Sequence, residues 1–432
     1  MPQKSTYLEF AGGPPAKPAA HAVLNAGRYH SAEFMKREWD RMWTRTWLLA
    51  GVEADVADPG DFFVFELGPE SIIVTRNREG ALTAMYNACQ HRGNRILTRE
   101  RGSLPAFTCP YHGWRYDLEG RLLLVPDADR FEQGTPCDRL SLKPVRVESW
   151  AGLVWINMDP ECGPLSDFLG VIPEQLAPYH FESMVLAEDQ TVTVDANWKT
   201  VIDNFNEQYH VDFIHPQHAS FVDCCNAENE LWPFGHRRVI VEGGVVNPRY
   251  PIPTEVPPVL AAVIQPIGLN PADFSGRVTE VRRAIQLRKR EISAERGVDF
   301  SAFTDEQLSD VYQYDLFPNI IMTIQAEELW VMRPRPHPTD PNRCFFDKIV
   351  LKATFSPSAP PPTQGRPERE VLTRDDVLAG RTSMNITVDQ DLFYLPFMQA
   401  GMASRGFSHA WLNQDESRVQ HFHDWLDVYM AD

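Results

Sequence analysis

The sequence predicts an α+β protein, in which a small all-β domain precedes a larger domain with an antiparallel sheet wrapped around helices. Short β-branched and aromatic runs between residues 61 and 156, separated by Gly, Pro, Asn and Asp, indicate the first domain. A cluster of breaker residues at 159–164, Asp-Pro-Glu-Cys-Gly-Pro, marks its end. Beyond this cluster, strand-like runs and segments of helical spacing share the rest of the chain.

Residues 1–44 are expected to form an N-terminal arm and a helix that packs on the second domain. The arm, residues 12–20, is rich in Pro, Gly and Ala. The helix is expected over about residues 31–47, because apolar side chains recur there at near-helical spacing, as a docking face requires. These side chains are Phe34, Trp39, Met42 and Trp43.

Residues 45–160 are assigned to the all-β domain, and residues 161–432 to the larger domain. In the first domain the clearest strands are expected at 62–65, 71–75, 82–86 and 152–156. In the second, strands are expected at 192–194, 239–246, 319–333 and 344–355, and helices at 197–213, 273–313, 391–402 and 419–429. The segment 355–368 is rich in proline and is expected to be a surface loop.

Composition excludes several classes of function. The 41 basic and 59 acidic residues give a formal net charge of −18, which argues against a nucleic-acid partner because phosphate binding needs concentrated positive charge. No apolar run approaches the roughly 18 residues that span a membrane, and the N-terminus has no signal-peptide pattern. The cysteines outside the first motif are scattered, which is typical of reduced, buried thiols in a cytoplasmic protein.

The first motif places two cysteines and two histidines on two short loops, C-Q-H-R-G and C-P-Y-H-G-W. Thiolates from Cys89 and Cys109 on one iron, and imidazoles from His91 and His112 on the other, would hold a Rieske [2Fe–2S] cluster. The same four side chains also suit a tetrahedral zinc ion. Their spacing alone therefore leaves a structural zinc site open.

The second motif lies within residues 197–218. Asn204, Glu207 and His210 follow one another at intervals of three, so they would lie along one face of the predicted helix. His215 comes next, directly before Pro216. Two imidazoles near a helix end, with a carboxylate from elsewhere, would make the 2-His-1-carboxylate triad of a non-heme Fe(II) oxygenase.

Three further residues compete for roles around this motif. His218 lies beyond the proline, so we expect it to support a ligand or face solvent rather than bind the metal. Asp389 and Asp391 precede an apolar stretch of helical character, and either could supply the carboxylate. Acidic residues at a helix start also cap it and favour its dipole. Periodicity does not choose between the two aspartates.

Taken together, the two motifs resemble the signatures of the Rieske non-heme iron oxygenases, specifically their catalytic α subunit. The resemblance covers the chain in outline and implies a Rieske domain at 45–160 and a START-type helix-grip catalytic domain at 161–432. In this family the third iron ligand lies eight residues before a glutamine followed by x-Gly. Gln399 and Gly401 fit that landmark, which points to Asp391, with Asp389 as the fallback.

The resemblance also implies the cofactors and their ligands. A Rieske [2Fe–2S] cluster would be bound by Cys89, His91, Cys109 and His112. A mononuclear Fe(II) would be bound by His210, His215 and Asp391. Asn204 and Glu207 are the candidate catalytic residues.

Glu207 has a specific role in the resemblance, since the acidic residue at this position bridges to a cluster histidine of a neighbouring subunit. Carried over to this chain, it would face His112 of another copy in a head-to-tail homotrimer. A carboxylate between two imidazoles offers a short bonded path for electrons. Many aromatic dihydroxylating members have Asp here with one extra residue before it, so Glu207 and its spacing favour an oxygenase without a β subunit.

The expected activity is that of a terminal oxygenase component. Electrons from NAD(P)H would arrive through a separate reductase or ferredoxin, because this chain has no G-x-G-x-x-G after a strand. One or both atoms of O2 would enter an apolar substrate, such as an aromatic, polycyclic or terpenoid compound. Apolar side chains of the catalytic half favour such a substrate: Phe205, Phe213, Ile214, Phe317 and Phe393.

Two alternatives remain open at this stage. A monooxygenase or demethylase of a quaternary ammonium compound would need an aromatic cage for the cation, for which Trp232, Tyr312 and Trp330 are available. A Rieske electron carrier without catalysis would need only residues 45–160. The substrate, the site of attack and the number of oxygen atoms retained depend on a pocket that sequence does not assemble.

Overall fold

The computed structural model of the chain describes residues 23–137, 139–296, 299–354 and 366–431. Two compact units are formed, one by Arg37–Pro173 and the other by the residues after Pro173 together with residues 23–36. The expected N-terminal arm at 12–20 lies outside the described residues, as does most of the expected proline-rich loop. Among the described helices, none is both long and apolar enough to cross a membrane.

The strands are numbered in chain order as β1 (Val23–Asn25), β2 (Leu48–Val52), β3 (Asp61–Leu67), β4 (Glu70–Arg76), β5 (Leu82–Tyr86), β6 (Arg101–Ser103), β7 (Phe107–Thr108), β8 (Arg115–Tyr116), β9 (Leu122–Leu124), β10 (Pro144–Trp150), β11 (Leu153–Asn157), β12 (Val185–Val194), β13 (Val222–Leu231), β14 (Arg237–Gly243), β15 (Val311–Leu316), β16 (Ile320–Gln325), β17 (Glu328–Pro336), β18 (Cys344–Lys352), β19 (Glu370–Leu372) and β20 (His409–Trp411).

The α-helices are α1 (Gly27–His30), α2 (Ala32–Glu38), α3 (Leu165–Leu169), α4 (Ile172–Leu176), α5 (Trp198–Phe205), α6 (Val211–Ile214), α7 (Pro258–Ile264), α8 (Val281–Arg296), α9 (Asp305–Ser309), α10 (Arg374–Leu378), α11 (Ile386–Met402) and α12 (Ser417–Met430). A π-helical turn, Trp39–Trp43, continues α2. The α+β class predicted from the sequence is therefore correct.

The unit formed by Arg37–Pro173 is built on antiparallel strands. Its larger sheet has the order β2-β11-β10-β5-β4-β3-β6, and a smaller one has the order β7-β8-β9. Phe62, Ile73, Met85 and Phe107 are buried where the two sheets share a core. The four strands expected in this region fall on β3, β4, β5 and β11, because their alternating apolar residues pack on that core.

The chain after β11 stays with this unit beyond the breaker cluster. The indole nitrogen of Trp47 donates to the carbonyl of Gly163 at 3.1 Å. In α3, Leu165, Phe168 and Leu169 are all buried. The compact unit consequently ends at Pro173, whereas the breaker cluster suggested an end near residue 160.

The second unit is organised around an eight-stranded sheet of order β13-β14-β15-β16-β17-β18-β12-β19. Side chains that face each other across its antiparallel strands lie on one face of the sheet. One such row runs from Gln313 through Thr323 and Trp330 to Val350. Helix α5 packs against β17 and β18, and α11 packs against α5.

The helix expected at 197–213 was wrong as a single element. Helix α5 ends at Phe205, and Asn206 caps it with a backbone conformation outside the helical range. The chain then turns before the short helix α6. Asn204, Glu207 and His210 therefore do not follow one helical face. Similarly, the strand expected at 319–333 is the hairpin β16–β17, and the helical segment expected to reach residue 313 ends before β15.

Candidate metal centres

Two loops of the first unit hold the first motif in matching backbone conformations. The amide of Gly93 donates to the carbonyl of Cys89 at 2.8 Å, and that of Gly113 to the carbonyl of Cys109 at 3.0 Å. Both glycines have left-handed φ values, 76° and 72°, which other residues adopt at a cost. Each loop therefore aims its cysteine and its histidine from a preset turn.

The two histidines of these loops converge through the same ring atom. Nδ1 of His91 lies 3.0 Å from Nδ1 of His112. The indole of Trp114 stacks on His91 with ring centroids 4.9 Å apart, and Tyr111 lies 4.1 Å from His112. Both imidazoles retain access to solvent, while the cysteines of the loops are buried. The pair of Nδ1 atoms is placed as two ligands of one metal ion would be.

The spacing of the four ligand atoms bears on the structural zinc site that the sequence left open. A single zinc ion holds its ligands at about 2.0–2.3 Å, so that any two lie within about 4.6 Å of each other. Among the described residues, the sets of three or more candidate ligand atoms within 4.8 Å of one another do not include any three of these four. In this arrangement Cys89, Cys109, His91 and His112 do not surround one common point as the ligands of a single zinc ion would.

The loops Cys89–Gly93 and Cys109–Gly113 are called the cluster loops. Their buried cysteines have polar neighbours suited to a cluster thiolate. The hydroxyl of Tyr116 lies 3.3 Å from Sγ of Cys89 and accepts from the amide of Gln90 at 3.1 Å. Burial raises the pKa of the Cys89 thiol, and the hydrogen bond with Tyr116 opposes that rise. Hydrogen bonds to ligand sulfurs tune the reduction potential of such clusters.

The second unit brings together His210, His215 and Asp391. Nε2 of His215 lies 3.1 Å from Oδ1 of Asp391, and Nε2 of His210 lies 3.9 Å from the same oxygen. All three ligand atoms fall within 4.8 Å of one another. This is the donor set of a 2-His-1-carboxylate iron site.

Asp391 carries the strongest sign that a cation belongs here. Its side chain is 2% exposed, and neither carboxylate oxygen has a hydrogen-bond donor among the described residues. A buried carboxylate without a partner is costly, and a metal ion supplies the missing positive charge. The residues present therefore fit a mononuclear iron.

The buried face of α11 carries Asp391, whereas Asp389 lies off that face. The buried residues of α11 recur at helical spacing and include Val388, Asp391, Leu395 and Gln399. Asp389 lies off this face and accepts hydrogen bonds from Ser383 and from the amide of Met384. It stabilises the start of the helix instead of facing the histidines.

Helices α5 and α11 are held together by one amide side chain. Oε1 of Gln399 accepts from the amide of Asn197 at 2.9 Å and from the hydroxyl of Thr200 at 3.0 Å. Asn197 is also the N-cap of α5, since its side chain accepts from the amide of Lys199. The glutamine that served as a landmark in the sequence thus connects the helix before the histidines to the helix with Asp391.

Each histidine of the triad is oriented through its other ring nitrogen. Nδ1 of His215 lies 2.7 Å from Oε1 of Gln390. Nδ1 of His210 is in short contact with the carboxylate of Glu207, which also accepts from the His210 amide at 3.0 Å. These contacts leave both Nε2 atoms for the metal. Burial alone would lower the pKa of His210, but the hydrogen bond and charge of Glu207 raise it above its ordinary value.

His218 lies beside the triad without joining it. Its Nε2 lies 2.8 Å from the hydroxyl of Thr387, and its ring centroid is 5.4 Å from that of His215. Burial, followed by the charges of His215 and His210, lowers the pKa of His218 to about 4. A neutral imidazole bonded to a threonine matches the supporting role expected from the sequence.

The triad opens into a cavity of about 590 Å³, here called the iron cavity. This volume lies within the roughly 300–1,000 Å³ range of small-molecule sites. Glu207 and Asn204 also line it, and the amide nitrogen of Asn204 is buried without an acceptor. The remaining wall combines aliphatic side chains, among them Val241, Val263 and Val311, with polar ones such as Gln313 and Gln325.

The substrate contacts expected from the sequence reach this cavity only in part. Phe205 and Trp330 line it. Phe213 and Phe393 are instead 73% and 44% exposed, and Phe317 stacks on Tyr429 in the core. Three other expected residues, Ile214, Trp232 and Tyr312, are not among the lining residues. The aliphatic side chains of the wall come from strands such as β14 and β15 and from helix α7, whose inward faces sequence spacing did not identify.

Sequence reasoning missed three residues that act next to the metal ligands: Gln390, Gln217 and Tyr116. Gln390 stands directly before Asp391, and its carbonyl also accepts from Gln217 at 2.7 Å. The sequence predicts a role only for its neighbours Asp389 and Asp391. Nothing in the local sequence indicates that Tyr116 returns to Cys89, because the hairpin β7–β8 brings it there.

Comparison with known proteins gives two family matches. The model described as "Ring hydroxylating alpha subunit (catalytic domain)" matches residues 181–432. The model described as "Rieske [2Fe-2S] domain" matches residues 46–146. The first match includes the triad, and the second includes both cluster loops.

Individual proteins are similar to this chain at moderate identity. Glycine betaine monooxygenase oxygenase subunit of Pseudomonas aeruginosa is 31% identical over 219 residues, covering 48% of this chain and 50% of that protein. Benzene 1,2-dioxygenase subunit alpha of Pseudomonas putida is 32% identical over 190 residues, covering 42% of each. The matched part thus spans about half the length of these curated relatives.

One solved structure shows that the fold extends over nearly the whole chain. A quaternary ammonium Rieske monooxygenase in complex with an inhibitor superposes with a TM-score of 0.70 at 19% identity. The superposition covers 96% of this chain and 97% of that one. At this identity the likeness concerns the fold alone.

Proposed function

Because this chain belongs to the family of ring-hydroxylating α subunits, we propose that it is the terminal oxygenase component of a multicomponent Rieske oxygenase. It inserts one or two atoms of O2 into an apolar organic substrate. The convergence of His210, His215 and Asp391 on one wall of the iron cavity supports this function most directly. When bound, the Rieske cluster supplies single electrons and the mononuclear Fe(II) activates O2.

The residues around the triad prepare it for that chemistry. Gln390 and Glu207 contact the two imidazoles at Nδ1, which leaves both Nε2 atoms to bind the metal. The aliphatic part of the wall offers an apolar surface to a substrate beside the ligands. A triad of three protein ligands leaves further coordination positions for small molecules.

Glu207 is proposed to connect the two kinds of metal centre between subunits. Its carboxylate already bonds to His210, and its side chain is 12% exposed. The imidazole of His112 is exposed on the cluster loops. In a head-to-tail homotrimer, Glu207 of one chain would meet His112 of the next, and electrons would pass along that bonded path. Residues 45–160 would serve as the electron-receiving domain and residues 161–432 as the catalytic one.

The proposed partners are those that would supply electrons to the chain. Electrons from NAD(P)H would come through a separate reductase, with or without a ferredoxin, since neither of the two motifs binds a nucleotide or a flavin. All seven cysteines are free thiols in the structure. Reduced thiols fit a cytoplasmic enzyme, which is where NAD(P)H is available.

An apolar substrate is favoured by the charges of the iron cavity. Beyond Glu207 and Asp391, its only lining carboxylate among the described residues is Glu328. That carboxylate is bonded to the indole of Trp330 and lies 3.9 Å from Nζ of Lys352. A quaternary ammonium group needs an aromatic cage, and of the three aromatic residues expected to form it only Trp330 lines the iron cavity. The ammonium group of Lys348 already lies 4.6 Å from the ring centroid of Trp330.

The second candidate function is a monooxygenase of a quaternary ammonium compound. The similarity to a glycine betaine monooxygenase and the Glu207 spacing favour it. Oxygen uptake driven by NADH and a compatible reductase, measured on naphthalene, a terpenoid and glycine betaine, separates the two. We expect uptake with an apolar compound and no formaldehyde. Formaldehyde release from the betaine would establish the second candidate instead.

Metal analysis tests the proposal against the noncatalytic alternatives. The oxygenase should hold about three irons per chain, two in the cluster and one in the triad. A carrier would hold two, and a structural zinc protein would hold zinc and no iron. If the protein held three irons but took up no O2 with any of these substrates, the assignment of the metal sites would be supported and the proposed substrates would be refuted.

A further inference from the structure

A second cavity of about 540 Å³ adjoins the iron cavity. The two cavities share Glu328, Trp330 and Asn385 as lining residues. The wall between them is therefore only one layer of side chains thick at this place. A shared wall of this kind determines how far a molecule in the first cavity can extend.

The register of the sheet explains why Trp330 stands at the boundary. Trp330 pairs with Thr323 of β16 on one side and with Val350 of β18 on the other. Thr323 faces the iron cavity, whereas Lys348 and Lys352 of β18 face the second cavity. Paired side chains lie on the same face of a sheet. One continuous sheet face thus lines both cavities, and the indole of Trp330 rises from it between them.

The indole is held in this position by charged groups on both sides. Its Nε1 donates to the carboxylate of Glu328. Nζ of Lys348 lies 4.6 Å from its ring centroid and donates to Glu188 at 2.9 Å. A cation over an indole face and a hydrogen bond at its edge restrict both side-chain torsions. Trp330 is consequently a fixed partition and not a loosely packed side chain.

The cavity behind the partition differs in chemistry from the iron cavity. Its lining carboxylates outnumber its two ammonium groups, Lys348 and Lys352, although one of them, Asp189, is ion-paired with Arg366 and Arg369. Aliphatic side chains contribute more of the wall of the iron cavity than of the second cavity. A molecule that passed the partition would therefore place an apolar part beside the metal ligands and a polar, preferably cationic, end among carboxylates.

We propose that Trp330 is the residue that limits substrate length, by closing the iron cavity against this second, acidic cavity. The inference rests on the proposed function, because it concerns the substrate that the iron cavity admits. Replacing the indole with a small side chain should join the two spaces along the sheet face. Longer molecules with a cationic end then bind, while short ones are unaffected.

The test compares two probes of different length, 2-phenylethylamine and 6-phenylhexylamine, by calorimetric titration of the iron-loaded protein. Each methylene that becomes buried contributes roughly fourfold in affinity. Trp330→Ala should bind the longer amine at least about 10-fold more tightly than the unmodified protein does. The affinity for the shorter amine should change by less than about threefold, because its ring stays in the iron cavity.

Two control variants keep the result specific. Trp330→Phe retains an aromatic wall but lacks the Nε1 donor, so its affinity for the longer amine should stay below that of Trp330→Ala. Trp232→Ala removes an indole that stacks on Tyr314 and does not line either cavity, so it should change neither affinity. Trp330→Leu replaces Trp330→Ala if the latter loses the absorption of the cluster.

Equal affinities for the longer amine in Trp330→Ala and the unmodified protein would overturn the proposal, as would a parallel change for both amines. Failure of Trp330→Ala to bind the longer amine would overturn it too. Binding requires no turnover. A selective gain in a protein that forms no product would therefore leave this inference intact and refute only the oxygenase function.

Discussion

The two metal centres are built in opposite ways. The cluster loops lie close together in the sequence, each preset by its own backbone bonds and a glycine, and they present their imidazoles toward solvent. The iron triad is assembled from the two ends of α6 and from α11, and its buried Asp391 accepts no hydrogen bond among the described residues. The difference suits the two tasks. A centre that passes electrons must be reached from outside, whereas a centre that activates O2 must be enclosed with its substrate.

We expect the largest effect on iron content and turnover from removing the carboxylate of Asp391. Asp391→Asn should lower the iron content from about three to about two per chain. Turnover should fall by more than about 100-fold, which exceeds the loss typical of residues behind metal ligands. Iron analysis and product formation measure both.

The matched control for this change is the other aspartate of the same helix. Asp389→Asn weakens only bonds at the start of α11, from Ser383 and Met384. It should cost about 0.5–2 kcal/mol in the free energy of unfolding and leave the iron in place. If Asp389→Asn lost the iron and Asp391→Asn kept it, the assignment of the triad would be wrong.

Glu207→Gln tests whether the enclosed centre depends on the exposed one. The amide keeps the size of the side chain and can still contact His210, so both metals should remain. Product formation should slow by about 10- to 100-fold, because the charged bridge is lost. A rate close to that of the unmodified protein, with both metals present, would remove Glu207 from the electron path.

A smaller effect is expected from the residue that orients His215. Gln390→Leu removes the acceptor at 2.7 Å from Nδ1 of His215. Iron affinity should fall by about 10-fold, at the lower end for such partners. Competition with a chelator measures this, and the cluster absorption should not change. Unaltered iron retention would show that the helices alone orient the ring.

The smallest effect concerns the exposed centre. Tyr116→Phe removes the hydroxyl that lies 3.3 Å from Sγ of Cys89. Loss of one such hydrogen bond, about 0.5–1.5 kcal/mol, corresponds to a lowering of the cluster potential by about 20–60 mV. Protein-film voltammetry detects a change of this size. An unchanged potential would mean that the hydroxyl does not bond to the reduced cluster.

The contrast between the two metal centres also determines how much of each could be predicted from the sequence. The cluster loops could be identified because their ligands are adjacent residues in turns marked by Gly93 and Gly113. His210 and His215 could be paired because they lie only five residues apart in one motif. The expected helix at 197–213 was wrong because α5 ends at Asn206, and it is this break that lets Glu207 turn back to His210.

Long-range features were less accessible to prediction. The family resemblance, not periodicity, preferred Asp391 over Asp389, and the buried face of α11 agrees with it, since Val388 and Leu395 share its helical spacing. No local pattern indicates that Trp330 lines two cavities, because its role depends on strand register across β16, β17 and β18. Tertiary pairing of this kind is not encoded in the spacing of neighbouring residues.

The central claim is that electrons enter through the exposed cluster of one chain and are used at the enclosed iron of another. Cys109→Ser should inactivate the cluster and His210→Ala the triad, so that neither variant alone turns over substrate. Oligomers containing both, isolated by two different affinity tags, should regain activity well above either parent. Mixed oligomers that hold the remaining cluster and the remaining iron, yet stay at the background rate, would contradict the claim.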